Sequence, residues 1–513
     1  AATLEDGPVA AQLIAQLARW PRLESGPLLL GKLVSRDARV RSAAIDALAE
    51  LRVENAGEAV RNLLDAPEPI VRRAAAAAAG RLMVRAAVEQ LLRLTRDADV
   101  EVRRASLDSL RQLGEPRAVL LAVEALNDRQ TQRAALDCIS ALGGSREADA
   151  VIDLAARDLS VDVLTLAAGM LTKWGRDDGL SEPRRTELER AVAQLHGRSG
   201  LFVRWNVRGP LAERDSLEIL EQIAKKPQTV PATAIDQHGV RMLFANGLEG
   251  RVDLPGKADG ANKDEHADRV WLASTDVIIP ASAAVQFLGS SADTLHVWLN
   301  GKRVYQREKT QAFQPDSDRF DAALDAGANR VVVQVAAARD TAAFHLRFRT
   351  KSATAEQEKL VQAALGRSGD IERGRKLFFD AQKLQCSKCH RIGEVGERVG
   401  PELTGVGNRF SRIHIVESIL EPSRTVAPGF QTIAVELRDG RILTGIKIAE
   451  TGDSITLGDN QAKLHQLAKS EIEEQKMQTQ STMPEGLVKE LSVDQFVDLV
   501  TFLTNQKEAL RGK

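Results

Sequence analysis

The sequence predicts a multidomain chain: an α-helical solenoid, then an antiparallel β-sandwich, then an all-α domain interrupted by a small β-meander. Three observations carry that expectation. Near the start, an arginine-marked pattern repeats itself. Apolar residues then switch to strict alternation with turn punctuation. The last stretch returns to helical periodicity and holds two of the three cysteines, in Cys386-Ser387-Lys388-Cys389-His390.

At 513 residues the chain is too long for one hydrophobic core, and about three or four domains are expected. Hydrophobic residues make up 43% and charged residues 27%, values ordinary for soluble globular protein. With 70 basic against 71 acidic residues the formal net charge is −1, which argues against a dedicated nucleic-acid or anionic-membrane binder. Apolar runs such as Ala74 to Gly80 are far too short for a transmembrane segment. The chain shows no secretory signal and no initiating Met, so it reads as mature or trimmed.

The solenoid is expected over residues 1–197. Aligning Arg41, Arg72, Arg103 and Arg133 gives steps of 31, 31 and 30 residues, and a fifth copy carries Leu164 in place of the arginine. Each copy opens with acidic or turn residues and continues as an amphipathic helix, followed by a second helical stretch. Such a unit cannot bury its apolar face alone, so neighbouring copies must stack. The pattern resembles short HEAT-like repeats, which implies either a protein-docking surface or a spacer. Cys138 lies on an apolar helical face and reads as a buried small hydrophobe.

The β-sandwich is expected over residues 198–352. Short alternating segments such as "RVWLASTDVII", "TLHVWLNGKRVYQR" and "NRVVVQVAA" contain Trp271, Trp298 and Tyr305. Asn300-Gly301 marks a tight hairpin, because its turn needs positive φ at both positions. The pattern resembles jelly-roll modules of extracellular bacterial enzymes, some of which bind carbohydrate. Trp271 and Trp298 are read first as core, and as sugar-stacking platforms second.

The third domain is expected over residues 353–513. C-x-x-C-H, at Cys386, Cys389 and His390, is the attachment signature of c-type haem. On one helical turn two thiols reach the two vinyl groups of a porphyrin, and the histidine falls beneath the iron as its proximal ligand. A redox dithiol normally sits in a βαβ setting, which is missing here. A structural zinc site wants four ligands, and no second cysteine pair exists. "SGDIERGRKLFFDAQ" reads as a helix with Ser368 or Asp370 near its N-cap. "LSVDQFVDLVTFLTNQ" reads as another, with Ser492 and Gln495 as a capping box and Phe496, Leu499, Val500 and Leu503 as one stripe. Candidates for a sixth iron ligand are Met477, Met483, His414 and His465. Met483 is chosen, because its loop precedes the last helix and Pro484 stiffens it. The β-meander is expected as an insertion at about 429–475, with turns at Asp439-Gly440 and Asp459-Asn460.

"RVGPELTGVG" resembles the G-P-x-L segment of class I cytochromes c, carried here by Gly400, Pro401 and Leu403. The resemblance implies that the Pro401 carbonyl accepts a hydrogen bond from His390. The wider string from "CSKCHRIG" through "ILEPSRTVAPGFQTIAVELRDGRILTGIKIAETGDSITL" to "STMPEGL" resembles the haem-binding domain typical of Planctomycetes and Verrucomicrobia. Members of that family often combine HEAT-like repeats with a dehydrogenase-like propeller, which this chain does not contain. The implied function is a periplasmic or otherwise extracytoplasmic c-type cytochrome, an electron-transfer protein or subunit more than an enzyme. Its cofactor would be one covalent haem c with its iron. Its partner would be a redox protein or a membrane or periplasmic oxidoreductase complex, with carbohydrate possible at the sandwich. The alternatives are the electron-accepting part of a larger sugar or alcohol dehydrogenase assembly, and a peroxidase-like haem enzyme. Lys383, Lys388 and Arg391 are expected to steer an acidic donor modestly, against Glu394 and Glu397 close by.

Overall fold

The computed structural model describes residues 5–17, 25–128, 130–157, 161–177, 179–227, 239–256, 269–337, 341–352, 354–380, 382–424, 426–427 and 429–507. The chain forms two compact units, Ala1–Val151 and Ile152–Lys513. Among the described residues no helix is long and apolar enough to cross a membrane.

The first unit is a stack of helix pairs. Its principal helices are Ala38–Glu50, Pro69–Arg81, Val100–Leu113 and Gln132–Leu142. Asp37 and Asp99 cap two of them by accepting N–H bonds from the first turn. The repeated arginine clamps each repeat to the next. Arg41 donates to the Ser35 carbonyl and to Glu68, each at 2.6 Å. Arg72 donates to the Ala66 carbonyl at 2.9 Å and grips Asp97 with two bonds of 2.8 and 2.9 Å. Arg103 repeats the arrangement on the Asp97 carbonyl and Asp128 at 2.8 and 2.6 Å. The planar fork suits this double task, satisfying a turn carbonyl and pairing a carboxylate together. Arg133, the fourth in the series, pairs within its own helix with Asp137 at 3.1 Å. Cys138 is fully buried in that copy, and burial pushes its thiol up to about 11.

The fifth copy, helix Val161–Gly175, belongs to the second unit and buries Leu164 completely. It packs against helix Glu182–Ser199, which in turn packs on strand Arg269–Ile279 of the first of two antiparallel sheets. The first sheet has the order β2-β1-β4-β9-β6-β7 and the second β3-β10-β5-β8. Their strands are β1 (Arg204–Leu211), β2 (Val240–Phe244), β3 (Arg251–Leu254), β4 (Arg269–Ile279), β5 (Ala283–Ser291), β6 (Leu295–Leu299), β7 (Lys302–Arg307), β8 (Asp318–Leu324), β9 (Gly327–Ala337) and β10 (Ala342–Thr350). One apolar core lies between the sheets, built on Trp205, Trp271, Phe287 and Phe344. Trp271 is wholly buried and donates to the Pro255 carbonyl, so its faces are closed to a sugar ring. Trp298 packs outside that core, against Leu220 and Val332. Asn300 and Gly301 have φ of 52° and 85°, the left-handed pair expected of the hairpin between β6 and β7.

Helix Glu182–Ser199 approaches β4 closely at Gly197, where a Cβ would stand 1.8 Å from the Ile278 carbonyl oxygen. Beside it, His196 is buried, its Nδ1–H donating to the Asp276 carbonyl at 2.8 Å, while Nε2 finds no partner among the described residues. Burial lowers its pKa from the ordinary 6.5 to about 3. The folded state therefore holds His196 neutral, and its contribution to stability is complete above pH 6.5 and declines as pH falls toward 3. Between those values each pH unit is expected to cost up to about 1.4 kcal/mol from this group. Urea midpoints at pH 7 and pH 5 check this: His196→Gln should show a smaller loss on acidification than the unmodified protein.

The outer face of the second sheet is covered by the C-terminal helices. Leu288 on β5 joins the core made by helices Ala355–Gly366, Arg412–Leu420 and Val493–Thr504. Arg349 pairs with Glu358, Arg319 donates to the Leu365 carbonyl at 2.8 Å, and Gln362 donates to Gln286 at 2.9 Å. The sheets thus grip the helices that surround the C-x-x-C-H segment. Between Arg412–Leu420 and the last helix lies a third, five-stranded antiparallel sheet, ordered β14-β13-β12-β11-β15. Its strands are β11 (Thr432–Leu437), β12 (Ile442–Glu450), β13 (Ser454–Gly458), β14 (Leu464–Ala468) and β15 (Ile472–Met477).

Candidate cofactor-attachment site

Cys386 to Cys389 form a single helical turn, entered through Gln385 at φ 56°. Both cysteines are free thiols and partly buried. Burial pushes the Cys386 thiol up to about 12 and raises that of Cys389, to which the nearby Asp459 carboxylate adds. A redox-active C-x-x-C shows the opposite displacement, toward a stable thiolate. Among the described residues, no group of three or more His, Cys, Asp or Glu is arranged to hold a metal ion. Cys386, Cys389 and His390 therefore do not converge on one ion, as a structural zinc site would require.

His390 leaves the turn with its own N–H bonded to the Cys386 carbonyl at 2.9 Å. Its Nδ1–H donates to the Pro401 carbonyl at 2.8 Å. In the neutral ring that bond leaves the Nε2 lone pair free to bind a metal. Desolvation lowers the histidine's pKa, which also favours the neutral form. Gly400 lies against the ring, where a Cβ would stand 2.8 Å from Cε1 and 2.9 Å from Nδ1. Its N–H donates to the Cys389 carbonyl at 2.7 Å, and the Leu403 N–H to the Arg391 carbonyl at 2.9 Å. Gly396 has φ 102°, and a Cβ there would stand 2.2 Å from the His390 carbonyl oxygen. The loop from 391 to 405 is thus wound tightly round the motif.

The flanking helices cross at glycine. Helices Ile371–Phe379 and Val493–Thr504 start on Asp370 and on the Ser492/Gln495 capping box. Gly374 lets the backbones meet, for a Cβ there would stand 2.1 Å from the Asp498 carbonyl oxygen. Asp498, nearly buried, accepts from the Asp370 N–H at 2.6 Å and pairs with Arg373 at 2.7 Å. Phe378 and Phe502 pack at 5.7 Å, and the predicted stripe of Phe496, Leu499, Val500 and Leu503 is buried.

Of the sequence-predicted site residues, His390 and Pro401 are brought into contact, and Cys386 and Cys389 share the turn beside them. Met483 is partly buried in a loop held by the residues that precede it. Thr482 bonds Thr432 at 2.8 Å, and the Ser481 N–H donates to Ser423 at 3.2 Å. Met477 is exposed at the edge of β15, His414 stacks on Phe410 at 4.4 Å, and His465 pairs with Asp459 at 2.8 Å. Sequence reasoning passed over Gly396 and Asp498. The first has a signal, a glycine in "GEVGERVG"; the second has none, since its partners lie more than a hundred positions away.

The chain thus combines a helical repeat array and antiparallel sheets with a turn that sets two thiols beside an imidazole. Residues 1–80 and 57–143 match HEAT repeats. A cytochrome c-553-like protein of Synechocystis sp. is 33% identical over 79 residues, covering 15% of this chain and 70% of the relative. Through that segment the chain belongs to the cytochrome c-553-like family. Among solved structures, the complex of CpcE and CpcF of phycocyanin lyase from Nostoc sp. aligns at 22% identity and a TM-score of 0.27, over 38% of this chain and 79% of that one. A β-glucosidase from Kluyveromyces marxianus in complex with glucose aligns at 9% identity and a TM-score of 0.20, over 32% of this chain and 17% of that one. Likenesses that distant carry no functional statement.

Proposed function

We propose that this protein is a c-type cytochrome that passes single electrons through one haem, bound covalently by Cys386 and Cys389. His390 and Met483 would hold its iron. The observation that carries this reading is the 2.8 Å bond from His390 Nδ1 to the Pro401 carbonyl, made directly beside a C-x-x-C turn. When bound, haem supplies a one-electron iron couple. The chain's own work is binding and orientation. The two thiols anchor, Pro401 fixes the ring and keeps its proton on Nδ1, and Gly400 leaves the imidazole room to lie flat. The hydrogen bonds at Ser481 and Thr482 hold the Met483 loop in place.

HEAT repeats suggest protein–protein interaction. In this reading the repeat array and the two-sheet region dock the cytochrome to a redox protein or an oxidoreductase complex outside the cytoplasm. The test compares two oxidants. Reduced protein should be oxidised rapidly by a small redox protein and slowly by peroxide. Met483→Ala should raise peroxide turnover several-fold, by vacating a position that a carrier keeps filled. Rapid, saturable peroxide turnover by the unmodified protein would overturn the carrier reading in favour of an enzyme.

A further inference from the structure

The five-stranded sheet meets the segments of the cofactor site at two places. At the first, a Cβ on Gly458, the last residue of β13, would stand 2.7 Å from Val399 Cγ1. Val399 is buried and leads into Gly400 and Pro401, the two residues that meet the His390 ring. The second place is Thr432, the buried first residue of β11. Its carbonyl accepts from the Gln478 N–H at 2.9 Å, and its hydroxyl bonds Thr482 Oγ1 at 2.8 Å. The segment that leaves β15 therefore returns to Thr432 immediately before Met483. Ser423 ties the same segment again, through the Ser481 N–H and through Glu485, each at 3.2 Å. The N–H of Met483 itself donates to Ser481 Oγ at 3.1 Å.

The strand register joins the two places. Thr432 lies opposite Ile446 on β12, and Ile446 lies opposite Gly458 on β13. Residues paired in this way across antiparallel strands point to the same face of the sheet. Neighbouring strands are about 4.8 Å apart, so Thr432 and Gly458 stand roughly 10 Å apart in one row. Ile446, between them, is only 6% exposed, yet it is no part of the sheet's own apolar cluster. That cluster, with Ile433, Val435 and Leu457, alternates with the row along β11 and β13 and so occupies the opposite face. The face that carries the row is the one turned to the Val399 loop and the Met483 segment.

We propose that the sheet positions the sixth iron ligand relative to the fifth. Thr432 holds the Met483 segment, Gly458 seats the loop that orients His390, and the row between them fixes their separation. This role rests on the cytochrome reading given above. A row of paired residues is a stiff connector, because the ladder fixes each strand against its neighbours. Thr432 is thus a positioning residue, acting on Met483 through Thr482. Without its hydroxyl the segment keeps the bond to the Thr432 carbonyl and those to Ser423. Residue 482, next to the ligand, is then released from the sheet, and Met483 competes less well with an added ligand.

The experiment titrates the oxidised holoprotein with imidazole, which competes for the position assigned to Met483. Thr432→Val keeps the side-chain shape and removes the hydroxyl. It should bind imidazole roughly three- to tenfold more tightly than the unmodified protein, the worth of one net hydrogen bond. The long-wavelength sulfur-to-iron absorption should weaken and the midpoint potential should fall. Thr482→Val, across the same bond, should act alike, and the two changes together should add little more. Thr432→Ser restores the hydroxyl but not the methyl group, so it should recover the unmodified affinity only if the bond is what matters. Unchanged imidazole affinity in both valine variants overturns the proposal, as does an effect that Thr432→Ser fails to rescue. Met483→Ala and haem staining after denaturation keep the underlying reading separate. Covalent haem whose sulfur-to-iron band vanishes in Met483→Ala but is unmoved in Thr432→Val sinks the positioning role alone. Haem that extracts freely sinks the cytochrome assignment, a band that survives Met483→Ala sinks the ligand assignment, and the positioning role falls with either.

Discussion

A protein carrying Cys386→Ala and Cys389→Ala together should hold no covalently attached haem, measured by haem staining after denaturation and by acid–organic extraction. The effect is all or none because each thioether needs a cysteine sulfur, and alanine offers no atom for the bond. Each single variant keeps one sulfur and should still carry haem through denaturation. Folding should survive the double change: both side chains are small and only partly buried, and the lost packing is about 1 kcal/mol. The repeat array should be untouched, since Cys138 is its only thiol and is fully buried. Haem that resists extraction from the double variant would place its attachment elsewhere and overturn the assignment of these residues.

Gly374→Val should be the most damaging single change to the helical core. A Cβ at this position would stand 2.1 Å from the Asp498 carbonyl oxygen and 2.8 Å from Phe502 Cβ, so backbone has to move. Overpacking of that kind costs about 3 kcal/mol. It would also pull Asp498 away from Arg373 and from the Asp370 N–H, leaving a nearly buried carboxylate short of partners. Thermal melting of the holoprotein checks this, with Gly366→Ala as the control. That glycine ends helix Ala355–Gly366, and a Cβ there would meet nothing within 4 Å, so the melting point should barely change. Equal melting of Gly374→Val and unmodified protein would mean that the two helices do not cross as described.

Much of the architecture is local chemistry and was legible in order along the chain. Asp370, Ser492 and Gln495 cap helices because short polar side chains satisfy first-turn N–H groups wherever they stand. Asn300-Gly301 turns a hairpin because its two residues accept positive φ. The arginine of each repeat is visible as a period, although its role in clamping successive repeats is not. That role depends on carboxylates at Glu68, Asp97 and Asp128, which sit at the start of the following copy. The pairing of Arg133 with Asp137 of its own helix is likewise invisible in the alignment of the repeats.

Spacing along the chain was enough to place two thiols and an imidazole, those of Cys386, Cys389 and His390, together on one helical turn. Hydrophobic period also announced helical repeats, alternating strands and the sheet inserted before Met483, because it records secondary structure directly. Which atoms those side chains meet was settled only by the packing of elements against one another. The Pro401 carbonyl on His390, the Asp498 carboxylate on Arg373, Gly458 against Val399 and Leu288 among the C-terminal helices join residues from separate elements. Such contacts leave no pattern in a single sequence, since a buried pair is specified by the fit of whole elements and not by the spacing between its members.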